Sequence, residues 1–278
     1  MSRPPYDADL IAGHFDEYGE AEWDRHEATP FARVAFHVHR HYLERFIRSQ
    51  DHVLDIGAAS GRFTVELARL GARITVADIS QGQLDLNANH LVESGYERHV
   101  AERVIVDVVD LSRFEDASFD AVVCYGGPLS WVLDEADGAV DELLRVTKSG
   151  GHVLLGVMSL HGSLRAFLPG VAEEIDAYGV EAMQAIVDSG FLPPPHSTHG
   201  PLHLYTWNEL ESLLSRHRCE IVAASAANFL SVGNDPTCER WLADPSMWER
   251  FLRWEVLACA QPGALDGGTH LIAVVRAA

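Results

Sequence analysis

Residues 52–80 constrain the fold of this chain more than any other stretch, because they follow the order strand, glycine-bearing turn, helix, strand. A short apolar run ends in a turn at Gly57, and large apolar residues then recur at helical spacing until Gly71. A second β-rich run ends at Asp78. Parallel strands joined by one helix cross over right-handedly, so Gly57 and Asp78 are expected side by side at the carboxyl edge of a sheet. Open α/β sheets bind their ligands at this edge.

The spacing of small residues in the turn indicates which ligand this edge binds. Gly57, Ala59 and Gly61 are separated by two positions each, and the next residue, Arg62, stands where a dinucleotide fingerprint has its third glycine. The pattern Asp-x-Gly-x-Ala-x-Gly, which begins at Asp55 and precedes an acidic strand end, resembles motif I of the class I S-adenosylmethionine (SAM)-dependent methyltransferases. That family usually has glycine in place of Ala59, so this turn should be slightly less permissive of close backbone approach.

Two further stretches strengthen the resemblance. Residues 119–123 are similar to the fourth-strand motif of the family, and residues 144–155 to its run into the fifth strand. The resemblance implies that SAM is the cofactor and that Asp78 accepts hydrogen bonds from its ribose hydroxyls, since an ionised carboxylate has only acceptor sites. It assigns the adenine amino group to Asp107, with Asp110 as the alternative. The residues that it implies at the cofactor are Asp55, Gly57, Ala59, Gly61, Asp78, Ile79, Asp107, Val108 and Tyr125.

The unit of one strand and one helix repeats along residues 51–158, which predicts an α/β fold with a doubly wound parallel sheet. Residues 104–111 are expected to form the third strand, and residues 270–275 the seventh. By the family resemblance the sheet is seven-stranded and mostly parallel, a Rossmann-like methyltransferase fold. The same resemblance implies that the seventh strand is the antiparallel edge of the sheet.

Residues 1–50 carry too many aromatic side chains for a solvated tail. Pro30 begins an amphipathic helical pattern that continues to Ile47, and the segment before it is similar to the N-terminal lid of small-molecule methyltransferases. We therefore expect a helical lid at 1–50 and a SAM-binding methyltransferase domain at 51–278. Two insertions are expected within that domain, a substrate cap at 159–205 and a helical insertion at 228–268.

The charge of the chain limits its partners. Its 41 acidic and 21 basic residues give a net charge of −20, which repels polyanions. Nucleic acid and anionic membranes are therefore not expected partners, and no apolar run approaches the roughly 18 residues that span a bilayer. We expect a cytoplasmic protein, either a monomer or a homodimer, that acts on a small-molecule methyl acceptor.

Cysteine and histidine give no metal signal. The four cysteines lie far apart without a Cys-x-x-Cys pair, which indicates neither a zinc site nor a disulfide framework. His37, His39 and His41 alternate along the predicted N-terminal helix, but Arg40 and Glu44 lie near them and no further ligand is in reach. The pattern favours a solvated polar face of the helix over a metal site.

Few catalytic side chains are expected, because SAM carries an activated methyl group and the protein needs mainly to align it and exclude water. Tyr125, at the end of the fourth strand, could orient or deprotonate the acceptor, or it could be a buried aromatic residue. His203 and His199, in the first insertion, are candidate general bases because imidazole titrates near neutral pH, with His203 the first choice. The alternative for these histidines is a surface loop.

Three functions are compatible with this sequence. The enclosing insertions and the acidic charge favour a methyltransferase that moves a methyl group from SAM to a small molecule by in-line displacement. The alternatives are a protein or nucleic-acid methyltransferase and a non-catalytic SAM-binding protein. Against base methylation, the Asn/Asp-Pro-Pro-Tyr signature is absent, since residues 124–128 read Cys-Tyr-Gly-Gly-Pro.

Overall fold

Seven strands form one twisted sheet in the computed structural model, which describes residues 3–194, 196–197 and 200–278. Three helices precede the sheet: α1 (Ala8–Tyr18), α2 (Ala21–Asp24) and α3 (Pro30–Phe46). The first half of the sheet and its helices then follow in the order β1 (His52–Ile56), α4 (Arg62–Arg69), β2 (Arg73–Asp78), α5 (Gln81–Glu93), β3 (Val100–Ile105) and β4 (Phe119–Cys124).

The remaining elements are interrupted by excursions away from the sheet. After β4 come α6 (Pro128–Trp131), α7 (Ala136–Val146), β5 (Thr147–Met158), α8 (Leu160–Ala166), α9 (Leu168–Tyr178), α10 (Val180–Ser189), β6 (Phe191–Leu192) and β7 (Leu202–His203). The chain ends with α11 (Trp207–Ser215), β8 (Cys219–Ala226), α12 (Asp235–Leu242), α13 (Pro245–Cys259) and β9 (His270–Ala277). None of the helices within the described ranges is long and apolar enough to cross a bilayer.

The strand order in the sheet is β3-β2-β1-β4-β5-β9-β8, and β1 pairs in parallel with both β2 and β4. The order reverses on either side of β1, so this strand marks the point where a doubly wound sheet opens a ligand crevice. One apolar cluster packs on each face of the sheet, one around Leu143 and the other around Leu43. The predicted doubly wound α/β fold is confirmed.

Two strands differ from the sequence-based expectation. β3 occupies 100–105 instead of 104–111, because its partner β2 ends at Asp78, which pairs with Ile105. The Val106 N–H still donates to the Asp78 carbonyl oxygen at 3.0 Å, and the pairing with β2 ends there. β9 lies between β5 and β8 and is antiparallel to both, so β8 is the edge strand and the expectation that the seventh strand forms the edge was wrong. The physical reason is burial: positions 271–275 are all buried, which suits an internal strand, whereas most of β8 is partly exposed.

Helix α3 confirms the amphipathic helix predicted from Pro30 onward, with one important difference. His39 is buried with 5% of its surface exposed, and its ring packs on Tyr125, whereas His37 and His41 are partly exposed. The interpretation of all three histidines as one solvated face was therefore wrong for His39. Its position is in phase with the buried apolar residues of the helix, three positions before Tyr42.

Residues between β5 and α11 form α8, α9, α10 and the short β6–β7 hairpin. Ser159, where this excursion leaves the sheet, forms a bridge with Tyr205, where it returns. The second excursion carries α12 and α13, whose apolar residues pack with Val34 of α3 in a separate cluster around Phe251. Both excursions thus lie against the N-terminal helices or the end of the sheet.

Glu255 of α13 organises the loop that leaves β8. Its side chain is fully buried, and its carboxylate accepts hydrogen bonds from the backbone N–H groups of Phe229, Leu230 and Ser231 at 2.5–3.4 Å. A buried carboxylate is stabilised when it accepts several such bonds. The carboxylate therefore holds the loop that leads into the second excursion.

We predict that Glu255→Ala lowers the free energy of unfolding by about 3 kcal/mol, because it leaves several buried backbone donors without a partner. Denaturant unfolding measures the loss. Glu249→Ala, on the exposed surface of the same helix, is the matched control and should change stability by less than about 0.5 kcal/mol. Equal stabilities of the two variants would contradict the role of Glu255.

Candidate active site

A cavity lies at the carboxyl edge of the sheet and is here called the strand-end cleft. It lies where β1, β2 and β4 end, and the N-terminal segment covers it. Its lining residues are Tyr6, Ile11, Phe15, Glu22, Ile56, Gly57, Ala59, Asp78, Ile79, Val106, Asp107, Val108, Gly126, Pro128, Trp131 and Val132. The cleft is therefore at the position that the strand order and the motif spacing predict.

The turn after β1 is held in a left-handed conformation. Gly57, Ala59 and Gly61 have φ values of 69°, 46° and 98°. A Cβ atom at Gly57 would clash with the ring of Pro128, so only glycine permits this close approach of two loops. Ala59 is the one non-glycine residue of the turn in this region, and its conformation needs compensation elsewhere.

Asp78 provides that compensation. Its Oδ2 accepts a hydrogen bond from the Ala59 N–H at 2.8 Å, and its Oδ1 accepts one from the Ser80 N–H at 2.9 Å. Burial raises the pKa of this carboxyl group to about 6, although the backbone hydrogen bonds lower it. An ionised carboxylate has about four acceptor positions, so these bonds leave acceptor capacity for a ligand in the cleft.

Asp55 and Gly61 do not line the cleft, but they hold the turn that does. Asp55 is buried and accepts a hydrogen bond from the Thr64 hydroxyl at 2.6 Å, and burial raises its pKa to about 7. Gly61 is the N-cap residue of α4, and a side chain there would collide with Asn87. Their contacts hold the backbone of the turn, which is how they act on the cleft.

The N-terminal segment supplies side chains that the motif did not predict. The Tyr6 hydroxyl donates a hydrogen bond to Asp107 Oδ2 at 2.9 Å. Glu22, 6% exposed, enters the cleft from α2 and accepts a hydrogen bond from Arg25 Nε at 2.6 Å. Phe15 of α1 packs edge-on against Trp131. These residues lie far from the motif in the sequence, and the similarity of the segment before Pro30 to a lid was the signal that placed it over the cofactor.

Polar contacts fasten this segment to the sheet side of the cleft. Asp16 accepts hydrogen bonds from the Ser80 hydroxyl at 2.5 Å and from the Gly82 N–H at 2.9 Å. Further along, Trp23 stacks on the ring of His90 and under the guanidinium of Arg62, with centroid distances of 3.7 and 3.9 Å. The segment therefore covers the cleft in a defined position.

The sequence-predicted cofactor residues fall into two groups. Six line the strand-end cleft: Gly57, Ala59, Asp78, Ile79, Asp107 and Val108. Three do not line it: Asp55, Gly61 and Tyr125. Tyr125 is 2% exposed, packs against His39 and Phe63, and burial raises the pKa of its phenol well above the usual value. Its proposed roles in binding and catalysis stay predictions.

The histidines proposed as bases lie elsewhere. His203 Nδ1 is 2.9 Å from Arg3 Nη2, and its Nε2 is 3.7 Å from Glu209 Oε1. It lines a surface cavity that has no lining residue in common with the strand-end cleft. Burial and the charge of Arg3 lower its pKa to about 4. His199 lies outside the described residues. Catalysis by either histidine stays a prediction.

A second cavity adjoins the strand-end cleft, and Gly126 lines both. It has a volume of about 220 Å³ and is here called the histidine cavity. Its walls come from the segment after α2, from α3, α4 and α8, and from the ends of β4, β5 and β9. Its lining residues are Arg25, His26, Phe31, Ala32, Ala35, Phe36, His39, Phe63, Gly126, Met158, Ser163, Phe167, Thr269 and His270.

Three imidazoles of the histidine cavity are uncharged near neutral pH. Burial lowers the pKa of His39 to about 4 and that of His270 to about 3, and in both cases the charge of Arg25 adds to the effect. Burial also lowers the pKa of His26, with Arg25 as the second cause. The cavity therefore combines aromatic walls with neutral hydrogen-bonding groups.

Comparison with known proteins supports a methyltransferase. A family profile described as a methyltransferase domain matches residues 54–155. A ubiquinone biosynthesis O-methyltransferase from Xylella fastidiosa strain M23 is 26% identical over 233 residues, which cover 80% of this chain and 89% of that protein. A demethylmenaquinone methyltransferase from Clavibacter sepedonicus is 39% identical over 105 residues, but the match spans 38% of this chain and 40% of that protein.

These matches support a class I SAM-dependent methyltransferase. Solved structures agree on the fold: a SAM-dependent methyltransferase from Methanosarcina mazei superimposes with a TM-score of 0.56 at 20% identity, covering 84% of this chain and 96% of that one. The [4+2]-cyclase SpnF superimposes with a TM-score of 0.62 at 17% identity, covering 99% and 98%. At such identities the likeness concerns the fold alone.

The cofactor of this methyltransferase is SAM, and the strand-end cleft has the groups to hold it. Asp78 offers free acceptor positions for ribose hydroxyls, and Asp107 offers a carboxylate oxygen for an amino group. The absence of a side chain at Gly57 leaves the backbone of the turn accessible beside Pro128. These assignments come from the motif, and the geometry of the cleft is compatible with them.

We predict that Asp78→Asn weakens S-adenosylhomocysteine binding by roughly tenfold to a hundredfold, the value of one hydrogen bond to a charged group. Calorimetry measures the dissociation constant. Asp110→Asn is the control, because Asp110 is exposed and does not line the cleft. It should bind within twofold of the parent protein. A folded Asp78→Asn variant with parental affinity would refute the ribose assignment.

Cofactor affinity should also depend on pH. The predicted bonds from the ribose hydroxyls need the ionised form of Asp78, whose pKa is raised to about 6. S-adenosylhomocysteine affinity should therefore fall as the pH drops through about 6. Calorimetric titrations between about pH 5 and 8 test this sign. The dependence should disappear in Asp78→Asn. If it persists there, the buried carboxyl of Asp55 is the titrating group instead.

Proposed function

We propose that this methyltransferase transfers the methyl group of SAM to a small aromatic molecule bound in the histidine cavity. The observation that carries the proposal is the position of Gly126, which lines both the strand-end cleft and this cavity. Gly126 follows β4, where the methyl group is expected from the family resemblance. A molecule in the histidine cavity would therefore lie next to the strand-end cleft at Gly126.

The size and walls of the cavity support an acceptor with one ring. Its volume of about 220 Å³ exceeds the roughly 150 Å³ that accommodates a benzene ring in an engineered protein cavity. Phe36 and Phe63 line it with ring centroids 5.3 Å apart. Such aromatic walls suit a flat, apolar ligand.

The charge of the walls supports a neutral or anionic acceptor. Although the chain has 41 acidic residues, the described residues that line the histidine cavity include no Asp or Glu, and Arg25 is their one permanently charged member. A cationic amine would enter this environment without a carboxylate partner, which is costly. The names of the relatives point the same way, since two of them are a ubiquinone biosynthesis O-methyltransferase and a demethylmenaquinone methyltransferase.

The protein's contribution to such a reaction is placement. When bound, SAM supplies a methyl group already activated by a sulfonium. Asp78 and the turn at Gly57 would hold the donor, while Phe36, Phe63 and Met158 would hold the acceptor ring beside Gly126. The N-terminal segment covers both cavities and would exclude water from the reacting atoms. Alignment of two bound reactants accounts for much of the rate in reactions of this kind.

Turnover of purified protein with methyl-labelled SAM is the direct test. Parallel reactions would contain pooled hydroxylated aromatic compounds, pooled aliphatic amines, a mixed peptide library and duplex DNA or RNA. We expect label in the aromatic pool. Label in peptide or nucleic acid would favour the alternative macromolecular substrate, and tight SAM binding with no transfer to any pool would favour a non-catalytic SAM-binding protein.

We predict that Ala35→Leu, which adds bulk to the wall of the histidine cavity, raises KM for the acceptor at least tenfold or abolishes turnover. Because Ala35 does not line the strand-end cleft, S-adenosylhomocysteine affinity measured by calorimetry should stay the same. Ala185→Leu makes the same change on the exposed surface of α10 and serves as the control. Unchanged acceptor kinetics in Ala35→Leu would exclude this cavity as the acceptor site.

A further inference from the structure

His39 occupies a distinctive position among the three imidazoles of the histidine cavity. Its Nδ1 lies 2.8 Å from the carbonyl oxygen of Ala35 on the preceding turn of α3. A carbonyl can only accept, so Nδ1 carries the proton and Nε2 has a free lone pair in the neutral ring. Among the described residues, the bond to Ala35 is the hydrogen bond found for the His39 ring. The helix thus fixes both the tautomer and the orientation of the ring.

The other ring nitrogen of His39, Nε2, faces β5 near Gly156. A Cβ atom placed at Gly156 of β5 would lie 3.6 Å from His39 Nε2 and 3.4 Å from the ring of Tyr125. The missing side chain at Gly156 therefore leaves room for the imidazole. The ring of Phe63 lies 5.4 Å from the His39 ring and 5.1 Å from the Tyr125 ring, so the three rings contact one another. His39 consequently lines the histidine cavity beside Tyr125, the residue that precedes Gly126.

We propose that His39 Nε2 binds the hydroxyl group of the aromatic acceptor and removes its proton during methyl transfer. The inference rests on the proposed function and names its substrate class, a hydroxylated ring, and its general base. An unprotonated Nε2 can only accept a hydrogen bond, so a ligand must present a donor to it. A hydroxyl on a flat ring fits both this requirement and the aromatic walls.

The proton transfer balances in charge. The O–H bond of the acceptor breaks, its proton bonds to His39 Nε2, and the electron pair stays on oxygen and forms the new bond to the methyl carbon. The C–S bond breaks with its electron pair on sulfur, so the positive charge lost by the sulfonium is matched by the charge gained on the imidazole. The site thus carries the same net charge before and after the step.

The surroundings of His39 keep its ring uncharged. The titratable or charged groups around it are Arg25 and His26 after α2, Tyr125 of β4 and His270 of β9. None of these is an acid that would hold a proton on the ring at neutral pH. Burial and Arg25 lower the pKa of His39, so the ring is neutral when the acceptor arrives.

The kinetic test compares His39→Gln with the parent protein, using catechol and the more acidic 4-nitrocatechol as acceptors. Glutamine keeps a hydrogen-bond acceptor but is not a base, so kcat with catechol should fall by roughly 10²–10⁴-fold. The loss should be much smaller with 4-nitrocatechol, whose hydroxyl ionises without help. Equal losses with both acceptors, or a change confined to KM, would overturn the assignment of His39 as a base.

His41→Gln is the matched control, because His41 is on the same helix and lines neither cavity. Its kinetic constants should stay within twofold of the parent values. Both variants should bind S-adenosylhomocysteine as the parent does. If the parent protein methylates no hydroxylated ring, the proposed function fails; if it methylates catechol and His39→Gln does so equally fast, only the role of His39 fails.

A binding measurement on the parent protein tests hydroxyl recognition without any variant. With S-adenosylhomocysteine present, calorimetry should give roughly fivefold tighter binding for catechol than for 1,2-dimethoxybenzene, the value of about one hydrogen bond. His39→Phe, which removes the acceptor nitrogen, should abolish the preference, whereas His39→Gln should retain most of it. Equal affinities of the two ligands for the parent protein would overturn the proposal.

Discussion

One hydrogen bond fixes the geometry on which the active site depends, the bond from the Ala59 N–H to the carboxylate of Asp78. It joins the turn after β1 to the end of β2, and it holds Ala59 in a left-handed conformation that alanine otherwise disfavours by about 1–2 kcal/mol. The turn in turn positions Gly57 against Pro128 and starts α4 at Gly61. A single carboxylate thus shapes the backbone of the cleft and also faces its ligand.

The sequence predicted this part of the structure well because the interactions that determine it are local. The spacing of Gly57, Ala59 and Gly61 follows from what one turn can accommodate, and the position of Asp78 follows from one right-handed crossover. Gly57, Ala59, Asp78 and Ile79 line the cleft for that reason, and so do Asp107 and Val108, which the family resemblance assigned. The place of β9 in the sheet could not be obtained in this way. It depends on which strand buries both faces, a property set by distant packing partners.

The histidine cavity had no comparable signal in the sequence. His26, His39 and His270 come from the N-terminal segment, from α3 and from the last strand, and no local pattern connects the three. His39 could have been recognised as buried from its phase with Tyr42 along α3. Its neutral charge and fixed tautomer, however, follow from Arg25 and the Ala35 carbonyl in three dimensions. His199 and His203 were predicted as bases partly because histidines are close together in that insertion. Closeness in sequence is a weaker criterion for a shared site than lining the same cavity.

The short segment from Glu22 to His26 belongs to the walls of both cavities, since Glu22 lines the strand-end cleft while Arg25 and His26 line the histidine cavity. The hydrogen bond between Glu22 and Arg25 ties the two walls together. Any displacement of this segment that admits or releases SAM would therefore also open the histidine cavity, where the acceptor is proposed to bind. Ligand binding in one cavity is consequently coupled to the shape of the other. This coupling favours ordered binding and release of SAM and the acceptor over independent binding.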